Sequence, residues 1–108
     1  MKNLYNYTYL ISGLEHRFRV VKWPSQEEIP DYINLNNFEH CVDCVKSNIF
    51  TVMLSAQVYV TEDTEENREK FKRAVKDALT KLLSEKQKEV DSIMTNLKVV
   101  DETKEEMM

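Results

Sequence analysis

Apolar and polar residues alternate strictly along one stretch of the chain. Phe50, Val52, Leu54, Ala56, Val58 and Val60 fall on one side, and Thr51, Ser55, Gln57 and Thr61 on the other. A period of two predicts a half-buried strand over residues 49–61. Ile49, Met53 and Tyr59 interrupt the polar side, which predicts a partial second cover or a partner at that face.

Residues 4–23 carry the same alternation in two runs that meet at Gly13, the only glycine in the chain. Taking Gly13-Leu14 as a two-residue loop sets Ser12 opposite Glu15, Ile11 opposite His16, Tyr9 opposite Phe18 and Tyr7 opposite Val20. The apolar side chains then share one face, and Asn6, Thr8, Arg17 and Arg19 take the other, with Leu4, Leu10 and Val21 as exceptions. A three-residue loop puts Tyr9 opposite Arg19 and destroys that segregation. Glycine at the first central position also suits a type II′ turn. Trp23 falls near Leu4 and Arg19, and Trp, Tyr and Arg are the residues enriched where proteins touch one another.

Both prolines, Pro24 and Pro30, lie in residues 24–37, a linker that can hold no long helix or central strand. Residues 38–46 fit two patterns. Phe38, Cys41, Val42 and Val45 have helical spacing, which favours a short helix, while a fourth strand is the competitor. Further on, Asp63 is placed to cap a helix, with Glu66 in the capping-box position. The apolar residues Phe71, Val75, Ala78, Leu79, Leu82, Leu83, Val90, Ile93, Met94 and Leu97 lie on one helical stripe. No glycine or proline interrupts residues 64–97, so a single helix of ~50 Å is allowed, overhanging any small sheet, with a break near residues 84–89, where the stripe is interrupted, as the alternative. Residues 101–108 are charged and aperiodic, as in a flexible tail.

These elements predict one α+β domain over residues 1–100: a small antiparallel sheet of three or four strands, begun by the N-terminal hairpin and packed on a long C-terminal helix. At 108 residues there is room for one core. A formal net charge of −4 argues against binding nucleic acid through its backbone. With no apolar run of membrane-spanning or signal-peptide length, the expectation is a cytoplasmic protein off the membrane. One glycine rules out the glycine-rich loops that cradle phosphates.

Candidate chemistry is sparse. His40-Cys41-Val42-Asp43-Cys44 contains a Cys-x-x-Cys pair, but structural zinc needs four ligands and the chain supplies few others beyond His16. Cys41 therefore reads as an apolar packing residue, with no metal, cofactor or catalytic residue assigned. Runs such as Glu65-Glu66 read as solvated helix starts. The expectation is a non-enzymatic protein that binds another protein, by analogy with small acidic regulators and inhibitors of phage and bacterial type. Trp23, Arg17, Arg19 and Tyr59 are its candidate contacts, and the overhanging Leu83, Val90, Ile93, Met94 and Leu97 its candidate homodimer seam. The alternatives are a small-molecule or nucleic-acid binder using Trp23, Arg17 and Arg19 with Arg68, Lys72 and Lys76, and a Cys-x-x-Cys metal or thiol-redox protein.

Overall fold

The computed structural model describes residues 2–48, 51–85 and 90–107. In chain order these form β1 (Lys2–Ser12), β2 (Glu15–Gln26), a 3-10 turn (Phe38–His40), β3 (Val42–Ser47), β4 (Val52–Val60), α1 (Glu65–Glu85), α2 (Val90–Glu102) and β5 (Glu105–Met107). The α+β class is as expected. The sheet, however, has five strands in the order β3-β4-β1-β2-β5, where three or four were expected.

β1 and β2 pair in the register that parity demands, with Ser12 opposite Glu15, Ile11 opposite His16, Tyr9 opposite Phe18 and Tyr7 opposite Val20. Gly13 has φ +67°, and the one described non-glycine residue with positive φ is Asn36, so Leu14 keeps a negative φ. One left-handed residue fits type II′ and excludes type I′, which needs two. β4 adds to the other side of β1, bringing Val58 opposite Tyr7, Ala56 opposite Tyr9 and Leu54 opposite Ile11. All of these residues are buried on one face, with Phe71, Val75 and Leu79 of α1 above them. Tyr7, Tyr9, Phe18 and Phe71 form the aromatic centre, with ring centroids 5.4 to 6.4 Å apart.

The expected helix over residues 38–46 is overturned. One 3-10 turn over Phe38–His40 is followed by β3, which takes Val45 to Leu54 and Ser47 to Val52. The helical spacing competed with pairing to β4, and the ladder satisfies more backbone groups than a two-turn helix could. Ile49 and Phe50 lie outside the described residues.

The single long helix is also overturned. α1 ends at Glu85 and α2 begins at Val90, and Lys76 bonds Asp101 across the pair at 2.8 Å. Twenty-five residues of straight helix would hold those two about 37 Å apart, so the helices run back along each other. The alternative of a break near residues 84–89 falls on a segment described only at Ser84 and Glu85. Folding back removes the overhang that a homodimer seam along this stripe requires. Ile93 is wholly buried in its own chain, Leu83 and Leu97 are half-buried, and Met94 is exposed. The side chain of Val90 lies outside the described residues.

Two smaller corrections follow. Thr64, not Asp63, caps α1, its hydroxyl oxygen accepting the Asn67 N–H at 3.0 Å. Residues 101–107, expected as a flexible tail, instead finish α2 and form β5, which pairs in parallel with Phe18, Arg19 and Val20 of β2.

Candidate functional site

Strand alternation gives the sheet two faces of opposite character. The helix-covered face closes around two polar networks. In the first, Asn96 on α2 is fully buried and its Nδ2 donates to the Ser92 carbonyl at 2.9 Å. Its Oδ1 faces His16 Nε2 at 2.6 Å, so that nitrogen carries the proton. His16 Nδ1 then accepts the Tyr9 hydroxyl at 2.7 Å. Neutral imidazole is thus satisfied on both sides. Burial lowers the His16 pKa from its ordinary 6.5, opposed by the Asn96 bond, and burial pushes the Tyr9 hydroxyl up to about 12.

This arrangement gives a signed pH dependence. A histidine whose pKa is depressed by folding binds more protons when unfolded, so its contribution is complete above pH 6.5 and is lost as pH falls through the lower folded value. Urea denaturation is expected to show a smaller midpoint at pH 5.5 than at pH 7.5, and a His16→Gln variant to lack most of that difference. An equal decline in both proteins would assign the effect to other groups.

The second network joins three elements. Asp63 accepts the Tyr7 hydroxyl at 2.6 Å and a bidentate pair from Arg68, Nε at 2.8 Å and Nη2 at 2.6 Å. The same guanidinium donates through Nη1 to Glu105 on β5 at 2.6 Å. The Arg68 bonds hold the Asp63 carboxyl below its ordinary range despite its burial. For Glu105, burial raises the pKa, but its backbone hydrogen bond and Arg68 outweigh it and lower the value overall. Arg68, offered by the sequence as a basic helix position for a ligand, is therefore committed to the chain itself. So is Lys76, through Asp101.

Among the described residues the opposite face is covered at one end only. There Leu4, Asn6 and Tyr59 are buried, and the linker runs beside them. Its Asn34 carbonyl accepts the Tyr59 N–H at 2.8 Å and its Asn36 N–H donates to the Tyr59 carbonyl at 2.7 Å, setting Leu35 alongside Tyr59. Asn36 adopts the left-handed conformation that asparagine tolerates. The interruption at Tyr59 is thus explained by a second cover, and it stops there.

Beyond it the face is open. Trp23, opposite Leu4, packs edge-on against Tyr59 with centroids 5.6 Å apart and remains 41% exposed. Across the rest of the face, Leu10 and Met53 are each 49% exposed. Leu10 lies opposite Arg17 and Ser55, Thr8 opposite Arg19 and Gln57, and Ser12 opposite Met53. A shallow depression of about 110 Å³ adjoins Met53. Glu106 approaches Arg17 at 3.3 Å and Arg19 at 3.6 Å from the β5 side. All four sequence-predicted contacts, Trp23, Arg17, Arg19 and Tyr59, therefore share this face, with Tyr59 as its buried support. Leu10 and Met53, noted in the sequence only as breaks in alternation, are its largest apolar members outside Trp23.

The remaining candidates do not assemble with it. Cys41 is buried, its thiol donating to the Phe38 carbonyl at 3.3 Å and raised to about 11 by burial, while Cys44 is exposed on β3. Among the described residues no group of three or more His, Cys, Asp or Glu is placed to hold a metal ion. A concavity of about 680 Å³ between α1 and the 3-10 turn has Phe38, Val42, Ala74 and Ala78 in its wall and charges of both signs on its rim. Among the described residues no helix is long and apolar enough to cross a membrane. No protein-family model, curated protein or solved structure matches this chain.

Proposed function

We propose that the protein is a non-catalytic interaction module that binds a protein partner through the open sheet face, with Trp23, Leu10 and Met53 as apolar contacts and Arg17 and Arg19 as charged ones. The observation that carries this reading is the one-sided cover: the linker seals the Tyr59 end and leaves three large apolar side chains in water on an otherwise ordered sheet. Leu10 and Met53 lie on adjacent strands at one end of the face and Trp23 at the other, with Arg17 and Arg19 between them, and apolar residues interleaved with arginine have the composition of an interface. Net charge −4 and the pairing of Arg17 and Arg19 with Glu106 favour a protein over a nucleic-acid backbone. The composite nucleic-acid reading also lacks a common surface, since Arg68 bonds Tyr7's partner on the helix-covered side.

The paired substitution Leu10→Glu with Met53→Glu tests the reading. Both side chains are half in water, so the thermal midpoint is expected to change little. Protein partners captured from the cells that make the chain are expected to be lost. A folded variant that captures the same partners in the same amounts contradicts the proposal.

A further inference from the structure

We propose that the groove between α1 and the 3-10 turn seats a second copy of this chain, each protomer placing its Tyr32 side chain and acidic linker in the groove of the other. This goes beyond the sheet-face reading and stands or falls apart from it, because Leu10, Met53 and Trp23 take no part. The contact joins like to like and adds no heteromeric contact at α1.

The groove has the lining of a seat for an aromatic side chain. Its volume is about 680 Å³, and Phe38, Val42, Ala74 and Ala78 form its apolar part. Each of these four packs on the core and remains half-exposed. Ala74 and Ala78 are neighbours one helical turn apart, and their short side chains let an incoming ring approach α1 closely. The α1 wall beside them is basic. Five bases and one acid fall in the stretch from Lys70 to Lys81, in a chain of formal net charge −4. Lys70, Arg73 and Lys81 border the groove, against Asp77 and, from the 3-10 turn, Glu39. Arg73 and Lys81 are exposed and make no ion pair among the described residues.

The same chain carries the complement. Residues 25–37 hold three acids, Glu27, Glu28 and Asp31, and no base. All three acids are exposed. Tyr32, next to them, is 88% exposed, more than any other large hydrophobic side chain among the described residues. The loop that presents it is tied down. Asn34 and Asn36 bond the Tyr59 backbone at 2.8 and 2.7 Å, and Pro30 restricts the chain just before them. An aromatic ring held in water by an ordered loop loses little further freedom on docking, which favours association. The acids beside it match Arg73 and Lys81, so charge selects the linker over the basic surfaces of the chain.

Size argues for a reciprocal pair. One aromatic side chain buries only ~150–250 Å², whereas a stable interface buries about 1,000 Å² or more. Two-fold pairing makes every contact twice and closes the assembly at two copies.

Sedimentation of the full chain is the test. At ~100 μM, a concentration that populates any dimer tighter than that, the unmodified chain is expected to sediment as a dimer. Arg73→Glu with Lys81→Glu, and separately Glu28→Lys with Asp31→Lys, should each give a monomer, since either pair sets like charges together at both contacts. The chain carrying all four substitutions restores opposite charges and should dimerise again. Tyr32→Ala guards against a misfolded charge variant: it removes a side chain that lies in water in the protomer, so it should give a monomer with an unchanged thermal midpoint in dilute solution. Methyl resonances of Ala74 and Ala78 should shift between dilute and concentrated unmodified protein, and stay still in Tyr32→Ala. Met53→Glu should leave the dimer intact, which separates this contact from the open face. A monomer at the same concentration, a dimer that survives Tyr32→Ala or either charge reversal, or a folded fourfold variant that stays monomeric would each overturn the proposal. Alanine methyl shifts that appear only when a different protein is added, in a chain that remains monomeric, overturn it as well.

Discussion

Phe18→Ala is expected to destabilise the protein by ~3–5 kcal/mol, the range for removing a buried aromatic side chain. Phe18 is fully buried, and its ring touches Tyr7, Tyr9 and Phe71 with centroids 5.8, 5.9 and 5.4 Å away. No small shift of one element can refill that space, because the neighbours come from both β1 and α1. Arg19→Ala, one residue along and on the opposite face, should cost at most ~1 kcal/mol, since it loses only a partly exposed ion pair with Glu106. Denaturant titration of the two variants compares the faces of one strand directly. Similar small losses at both positions would contradict the register.

Asp63→Ala is the second large effect, at ~2–4 kcal/mol. The substitution strands the Tyr7 hydroxyl and the Arg68 guanidinium, each of which donates to this carboxylate. Removing one partner of a largely buried charged pair costs more than the pair was worth, because the other is left unpaired. Tyr7→Phe removes a single bond and should cost ~1 kcal/mol. The sign with pH is also set. Asp63 has a depressed folded pKa, so its contribution is present above its ordinary value of 3.8 and is lost as pH falls through the lower folded value. The acid limb of the stability curve should be shallower in Asp63→Ala than in the unmodified chain. A loss below ~1 kcal/mol would mean that the network is a solvated surface contact.

The hairpin and β4 were legible because one glycine and a period of two leave only one pairing that segregates apolar from polar side chains. The turn-back between α1 and α2 was not. Residues 84–89 contain no helix breaker, so local propensity permits one helix, and burial of Ile93 and Val100 decides otherwise. β5 was hidden for a related reason. Three charged or flexible residues carry no period, and they are held by Arg68, Arg17 and Arg19, which lie 37 to 89 residues away. Asp63 carries the signature of a helix cap because any Asp before a Glu-rich turn does, while its partnership with Tyr7 spans 56 residues. The buried His16–Asn96 contact was likewise invisible, since it depends on how α2 packs. Of the open face, Trp23, Arg17, Arg19 and Tyr59 could be named from the sequence. Leu10 and Met53 showed only as interruptions of an alternating pattern, and such interruptions are the signal worth following.

Site-specific photo-crosslinking tests most directly whether partners bind the open sheet face. A benzophenone amino acid placed at Leu10 or at Met53, both half-exposed on that face, is compared with one at Arg73 on the exposed side of α1. Irradiation in the cells that make the protein is predicted to give discrete heteromeric adducts from positions 10 and 53 and none from position 73. Adducts from position 73 alone, or from none of the three positions in folded protein, would contradict the account.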